Sequence, residues 1–262
     1  MIRKINFTII FLLLVLIISS SLVNASVRVE PARIILSSKL GARSTGVINV
    51  INNGEEEVLL QAYLYDWLVD NQEGISILEP ETLDSSLSNY IKFNPRSFIL
   101  GPGEQQKVRF TIASPQDLDR ELRGIVFFER EISYEEGTGA RVLTQIGTVI
   151  YLIPENVEYG FKLKEARFST KNDDGNQSCM LIMENIGKAH LRFILDYKII
   201  DSNSKLIEES SITNKVLLPG YERGLVFNFN NQLASGDYKL LLNYSFLNND
   251  RGASYEIPFS VE

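Results

Sequence analysis

Apolar and polar residues alternate along most of this chain in short runs, each closed by a cluster of Gly, Pro, Asn or Asp. A period of two places successive side chains on opposite faces of a strand, so the runs predict half-buried β-strands rather than helices. In the first half the predicted strands are Val27–Leu36, Gly46–Asn52, Val58–Val69, Tyr90–Phe98, Gln106–Ala113, Arg123–Ile132 and Val142–Ile153. The second half repeats the count with Phe161–Thr170, Ser178–Asn185, Leu191–Asp201, Lys205–Leu217, Gly224–Asn230, Tyr238–Phe246 and Ser254–Val261. Almost nothing has a helical period. Seven short strands in each half point to two tandem immunoglobulin-like β-sandwiches, an all-β fold.

The turn chemistry carries the same duplication. Asn52-Asn53-Gly54 and, further on, Leu100-Gly101-Pro102-Gly103-Glu104 are echoed by Asn185-Ile186-Gly187 and Leu218-Pro219-Gly220-Tyr221-Glu222. Gly tolerates the positive φ of tight turns and Pro presets φ, so each half reads as a copy of one β-module. Asp174-Gly175 adds a hairpin signal in the second copy. The link between modules is expected near Pro154-Glu155-Asn156, which divides the chain into an N-terminal domain, 26–154, and a C-terminal domain, 155–262.

The first 25 residues stand outside that pattern. Arg3 and Lys4 precede an apolar run, Phe7 to Ile18, broken only by Thr8, and Val23-Asn24-Ala25 supplies small residues at a cleavage point. This is the layout of a secretory signal peptide over residues 1–25. A membrane anchor would need about 20 apolar residues, and this run gives way to Ser19-Ser20-Ser21. The expectation is an exported protein, periplasmic or extracellular, with no stable membrane insertion after cleavage.

Charge and composition narrow the partners. Of 26 Lys and Arg, Arg3 and Lys4 leave with the leader, so 24 face 33 Asp and Glu and the mature charge is near −9. Such a chain repels nucleic acid and anionic membranes. Cys179 is the only cysteine, set in the apolar run Cys179 to Met183, and is expected to fill core volume. His190 is the only histidine and follows Gly187, so it reads as a solvated turn residue. One His and one Cys make neither a usual zinc site nor a well-supplied nucleophilic set. Glu129 and Glu131 share a strand face but flank Arg130, and Asp173-Asp174-Gly175-Asn176 lacks the ligand spacing of a calcium loop. No catalytic residue, metal or cofactor is therefore expected.

Two surfaces stand out. Within Val58–Val69 one face carries Val58, Leu60, Ala62 and Leu64, the natural core side, and the other carries Tyr63, Tyr65 and Trp67. That aromatic stripe has two readings: packing against a neighbouring loop or the second module, or an exposed contact for protein or sugar. The run Val142–Ile153 is apolar on both parities, with Val142, Ile146, Ile150 and Leu152 on one and Leu143, Val149, Tyr151 and Ile153 on the other. It suits a strand that feeds side chains into a partner, and equally one buried on both sides of its own domain.

Pro95 to Arg109, with its Pro-x-x-Phe-x-Leu-x-Pro-Gly phrasing, and Arg123 to Ile132, closing on Arg130-Glu131-Ile132, resemble the N-terminal domain of the periplasmic pilus-assembly chaperones of the chaperone-usher pathway. The resemblance covers about residues 27 to 154, and the same phrasing is similar to extracellular immunoglobulin-like modules of bacterial surface proteins. It implies two immunoglobulin-like domains that bind pilus subunits by β-strand addition, with an outer-membrane usher as a further partner. It also implies that Arg33 grips a subunit's terminal carboxylate, chemistry suited to a planar guanidinium. Read alone, an Arg in such a strand is more often a snorkelling surface residue. The family's second cation, a Lys on the seventh strand, falls at Val149, and no Lys occurs from 142 to 161. The expected partner-binding set is Arg33, Val142, Ile146 and Ile150. The alternative is a structural or adhesive protein of the cell surface or matrix that uses Tyr63, Tyr65 and Trp67.

Overall fold

The computed structural model describes residues 27–69, 74–133, 141–169, 177–249 and 251–262. The leader and the Asp174-Gly175 turn lie outside them. In the first module, β1 (Val27–Glu30) pairs antiparallel with β3 (Arg43–Asn52), which pairs with β8 (Gln105–Ala113) and, through it, β6 (Ile91–Asn94). The opposing sheet runs β2 (Arg33–Ser38), β10 (Arg141–Pro154), β9 (Leu122–Ser133), β4 (Val58–Val69) and β5 (Ile75–Leu78), with β7 (Ser97–Leu100) also on β4. Between the sheets, Ile48, Val50, Leu60, Val108, Phe110, Val126, Phe128 and Ile150 form a closed core. Each such side chain contributes roughly 1.5–3 kcal/mol by leaving water.

Two predicted strands divide. Val27–Leu36 breaks at Pro31 and Tyr90–Phe98 at Pro95, and at each break the chain passes from one sheet to the other. Proline cannot donate to a ladder, so these are the positions where a continuous apolar run has to leave its sheet. The peptide bonds before both prolines are cis. β5 was not predicted; its four residues pair with Asp66–Val69 at the end of β4.

The second module forms a sandwich of β11 (Phe161–Ser169), β12 (Ser178–Asn185) and β15 (Glu222–Asn228) against β14 (Leu206–Leu217), β13 (Leu191–Asp201), β16 (Gly236–Phe246) and β17 (Gly252–Val261). Its core holds Leu181, Phe193, Leu195, Ile199, Leu240 and Tyr244 together with Cys179, whose thiol burial pushes up to about 12. The cysteine is core volume, as its apolar setting implies. Strand order and pairing agree with the two immunoglobulin-like sandwiches read from the periodicity.

The duplicated turns prove to be the two halves of one clasp, built twice. Asn52 is fully buried; its Nδ2 donates to the carbonyls of Glu56 (2.7 Å), Leu100 (3.1 Å) and Gly101 (3.1 Å), and its Oδ1 accepts from Gly54 N (2.9 Å). Asn185, also buried, donates to Ala189 and Leu217 (2.9 Å each) and accepts from Gly187 N at 2.9 Å. Gly103 and Gly220, both at φ +74°, donate their amides back to the carbonyls of Asn52 and Asn185 at 2.9 Å. Only glycine enters that conformation at little cost, which is why the Pro-Gly turn stands opposite the Asn turn in both copies.

Candidate functional site

β4, β9 and β10 turn one face to the first core and the other to the second module. Trp67, 4% exposed, lies on that outer face with Ile125, Tyr151, Ile153, Ala189 and Leu218, a third apolar cluster that spans both modules. Its ring meets Tyr151 edge-on (centroids 6.0 Å apart) and lies under the Arg123 guanidinium at 5.9 Å. The aromatic stripe is thus divided. Trp67 is consumed by packing between modules, and only Tyr63 and Tyr65 are half-exposed. Tyr63 sits beneath Arg96 at 5.7 Å, and Tyr65 donates to Glu129 Oε1 at 2.9 Å, where burial first and that carboxylate second push its phenol up to about 12.

His190 is not a solvated turn residue. It is fully buried, stacked on Tyr151 with ring centroids 4.1 Å apart, and its Nδ1 lies 2.5 Å from Glu121 Oε2. The same oxygen accepts the His190 backbone amide at 2.9 Å, and Arg123 stands 3.7 Å from Glu121 Oε1. Glu121 therefore ties the start of β9 to the turn before β13. At the rim Lys188 donates to Asp119 (2.8 Å), and Arg120 with Lys188 hold that exposed carboxyl down at about 2. None of this was visible in sequence, because Asp119 and Glu121 meet Lys188 and His190 only when the modules come together.

β10 is the other notable element. β9 accompanies it from Arg141 to Leu152, whereas β2 covers its second edge only from Val149 to Pro154. Along Arg141–Thr148 that second edge has no ladder partner among the described residues. Val149 N donates to Ala32 O across the covered part, so by alternation the amides of Gly147 and Gln145 also point to the open side. Ile146 is half-buried against the first core, and Ile150 is wholly inside it, which removes Ile150 from any surface a partner could touch. The side chain of Val142 lies outside the described residues. On the outer face Phe127 covers Gly147, where a Cβ would come within 2.7 Å of its ring.

Arg33 is the first residue of β2, exposed, and directly in register with Val149. The structure thus places the two positions that the resemblance pairs side by side, with Val149 packed on the cluster between modules and Arg33 at the point where the open edge of β10 ends. No helix among the described residues is long and apolar enough to cross a membrane.

No family model matches the sequence, and no curated protein matches it. Among solved structures, a chain from a study of a chaperone-tip adhesin complex in CFA/I fimbriae biogenesis is 14% identical, with a TM-score of 0.52 over 88% of this chain and 98% of that one. The class 5 fimbriae chaperone CfaA is 16% identical with a TM-score of 0.49, over 89% and 100%. CsuC-CsuE, a chaperone-tip adhesion subunit pre-assembly complex of Acinetobacter baumannii, supplies a chain 14% identical with a TM-score of 0.44, over 89% and 98%. At the level of the first match, the chain has the two-sandwich fold found in fimbrial chaperone structures.

Proposed function

We propose that this is an exported assembly chaperone, binding a partner subunit by β-strand addition along the open edge of β10. The observation that carries the reading is the half-covered strand: among the described residues Arg141–Thr148 has a ladder on one side only, and its free edge ends beside Arg33. A subunit with an incomplete sandwich has unpaired amides and an open groove, and an added strand satisfies both. Ile146, on this edge, is the anchor that reaches the groove, and Arg33 stands where an added strand would end. The 1–25 leader, the 26–154 and 155–262 division and delivery to an outer-membrane usher belong to this reading. The aromatic alternative is weaker because Trp67 is buried between the modules.

The test uses the open edge itself. Gln145→Pro removes an amide that points to the open side and leaves the β9 ladder intact. Affinity for a candidate subunit lacking one strand should fall about tenfold or more while the thermal midpoint holds, since the proline both removes one backbone bond to the added strand and sets its ring in that strand's path. Ile146→Asp should act in the same direction. Wild-type affinity in both variants rejects strand addition.

A further inference from the structure

Along its open edge β10 has one outward position without a side chain. On the outer face of the first module Tyr63, Phe127 and Gly147 stand in direct register on β4, β9 and β10, a single row across three strands. A strand added beside β10 would place a fourth residue in that row, beyond Gly147. That residue would lie two strand spacings from β9, about 10 Å, with no side chain of β10 between them. In the next row Gln145 stands in the way.

Phe127 reaches into the gap. Its ring leans over Gly147, so that a Cβ at 147 would come within 2.7 and 2.9 Å of two ring carbons and within 2.9 Å of the Val126 carbonyl oxygen. The ring therefore extends from β9 across β10 towards the edge that has no ladder partner among the described residues. Tyr65 backs it, with ring centroids 5.9 Å apart, and part of it packs on the cluster between modules, yet Phe127 and Gly147 both remain half-exposed. Glycine weakens a strand interior and often marks a place where a ligand or another chain comes close. Beside the notch, Glu129 Oε1 accepts from Gln145 (2.7 Å) and from Tyr65 (2.9 Å), so its polar rim is engaged and carries an acid.

We infer that Gly147 and Phe127 form a specificity notch for the added strand, one that takes a large apolar side chain, best an aromatic one, at the position opposite Gly147. The inference rests on the strand-addition reading and states what the added strand must carry on its outer face. A ring placed there covers the bare backbone of Gly147 and meets the Phe127 ring in the offset or edge-on geometry that aromatic pairs favour. Alanine would leave the notch open. Aspartate would lose water beside Glu129 and gain no partner.

The probes are three peptides, acetylated and amidated, in which valine and threonine alternate between lysines that keep them in solution. The central threonine is replaced by phenylalanine, alanine or aspartate. Each is titrated into the full chain while the amide signals of Gln145 and Gly147 and the ring protons of Phe127 are followed by NMR. The phenylalanine peptide should move all three sets of signals and bind about tenfold more tightly than the alanine peptide, with the aspartate peptide weakest. Phe127→Leu, which keeps an apolar side chain against the joint, should cut that preference to about threefold or less. Gly147→Ala, whose Cβ displaces the ring, should do the same. Equal binding of the phenylalanine and alanine peptides, no binding of the phenylalanine peptide, or an unchanged preference in Phe127→Leu overturns the assignment. The two proposals fail separately. If Gln145→Pro leaves peptide binding intact while Phe127→Leu removes the phenylalanine preference, the notch stands without strand addition. If Gln145→Pro weakens all three peptides and the three bind wild type alike, strand addition stands without the notch.

Discussion

At the residue scale, the buried asparagines do the most with the fewest atoms. Each clasp joins segments that a local turn would not connect, since Asn52 reaches carbonyls 48 and 49 residues away and Asn185 one 32 away. Replacing either by Ala strands those buried carbonyls and should cost about 2–4 kcal/mol, read as a lower urea midpoint at unchanged slope. A cost near zero for both would mean that water replaces the amide. The sequence displayed the Asn-x-Gly and Pro-Gly pairs, but as four separate turns, because nothing local states that one turn's carbonyls are the other's acceptors. His190 was misread for a related reason. A polar residue beside Gly187 looks solvated until the second module is laid on Glu121 and Tyr151. Cys179, by contrast, was legible, since its apolar neighbours on β12 already fix a core environment.

At the element scale, strand existence was readable from the period of two, and strand endings were not. Val58–Val69, Ser178–Asn185 and Leu191–Asp201 stand as predicted. The apolar pattern runs unbroken through Pro31 and Pro95, where the backbone changes sheets, and β5 is too short to rise above its surroundings. Which edge of a strand is covered is also invisible to periodicity, because side chains report faces while edges belong to the backbone. β10 makes this testable by amide hydrogen exchange. The amides of Ile146 and Thr148 point into the β9 ladder and should be protected, whereas those of Gln145 and Gly147 should exchange much faster. Adding a strand-lacking subunit should protect Gln145 and Gly147 selectively. Equal protection of all four in the free protein would mean that the edge is already paired.

At the scale of the whole molecule, the two sandwiches are joined by burial rather than by the connecting segment alone. Trp67, Tyr151 and Leu218 shed water together, and Glu121 is shut in between His190 and Arg123. Removing one member of a buried charged set leaves the others unmatched, typically at about 3–5 kcal/mol, more than the set itself contributes when complete. Glu121→Ala should therefore loosen the joint in preference to either core. The chain offers its own reporter, for Trp67 is the only tryptophan and sits in that joint. In the variant, Trp67 emission should shift to the red at lower urea than the loss of β circular dichroism, while in the wild type the two should stay closer together. Coincident transitions in Glu121→Ala would show that the cores fail with the joint, and that Glu121 stabilises the first module instead of the contact between the two.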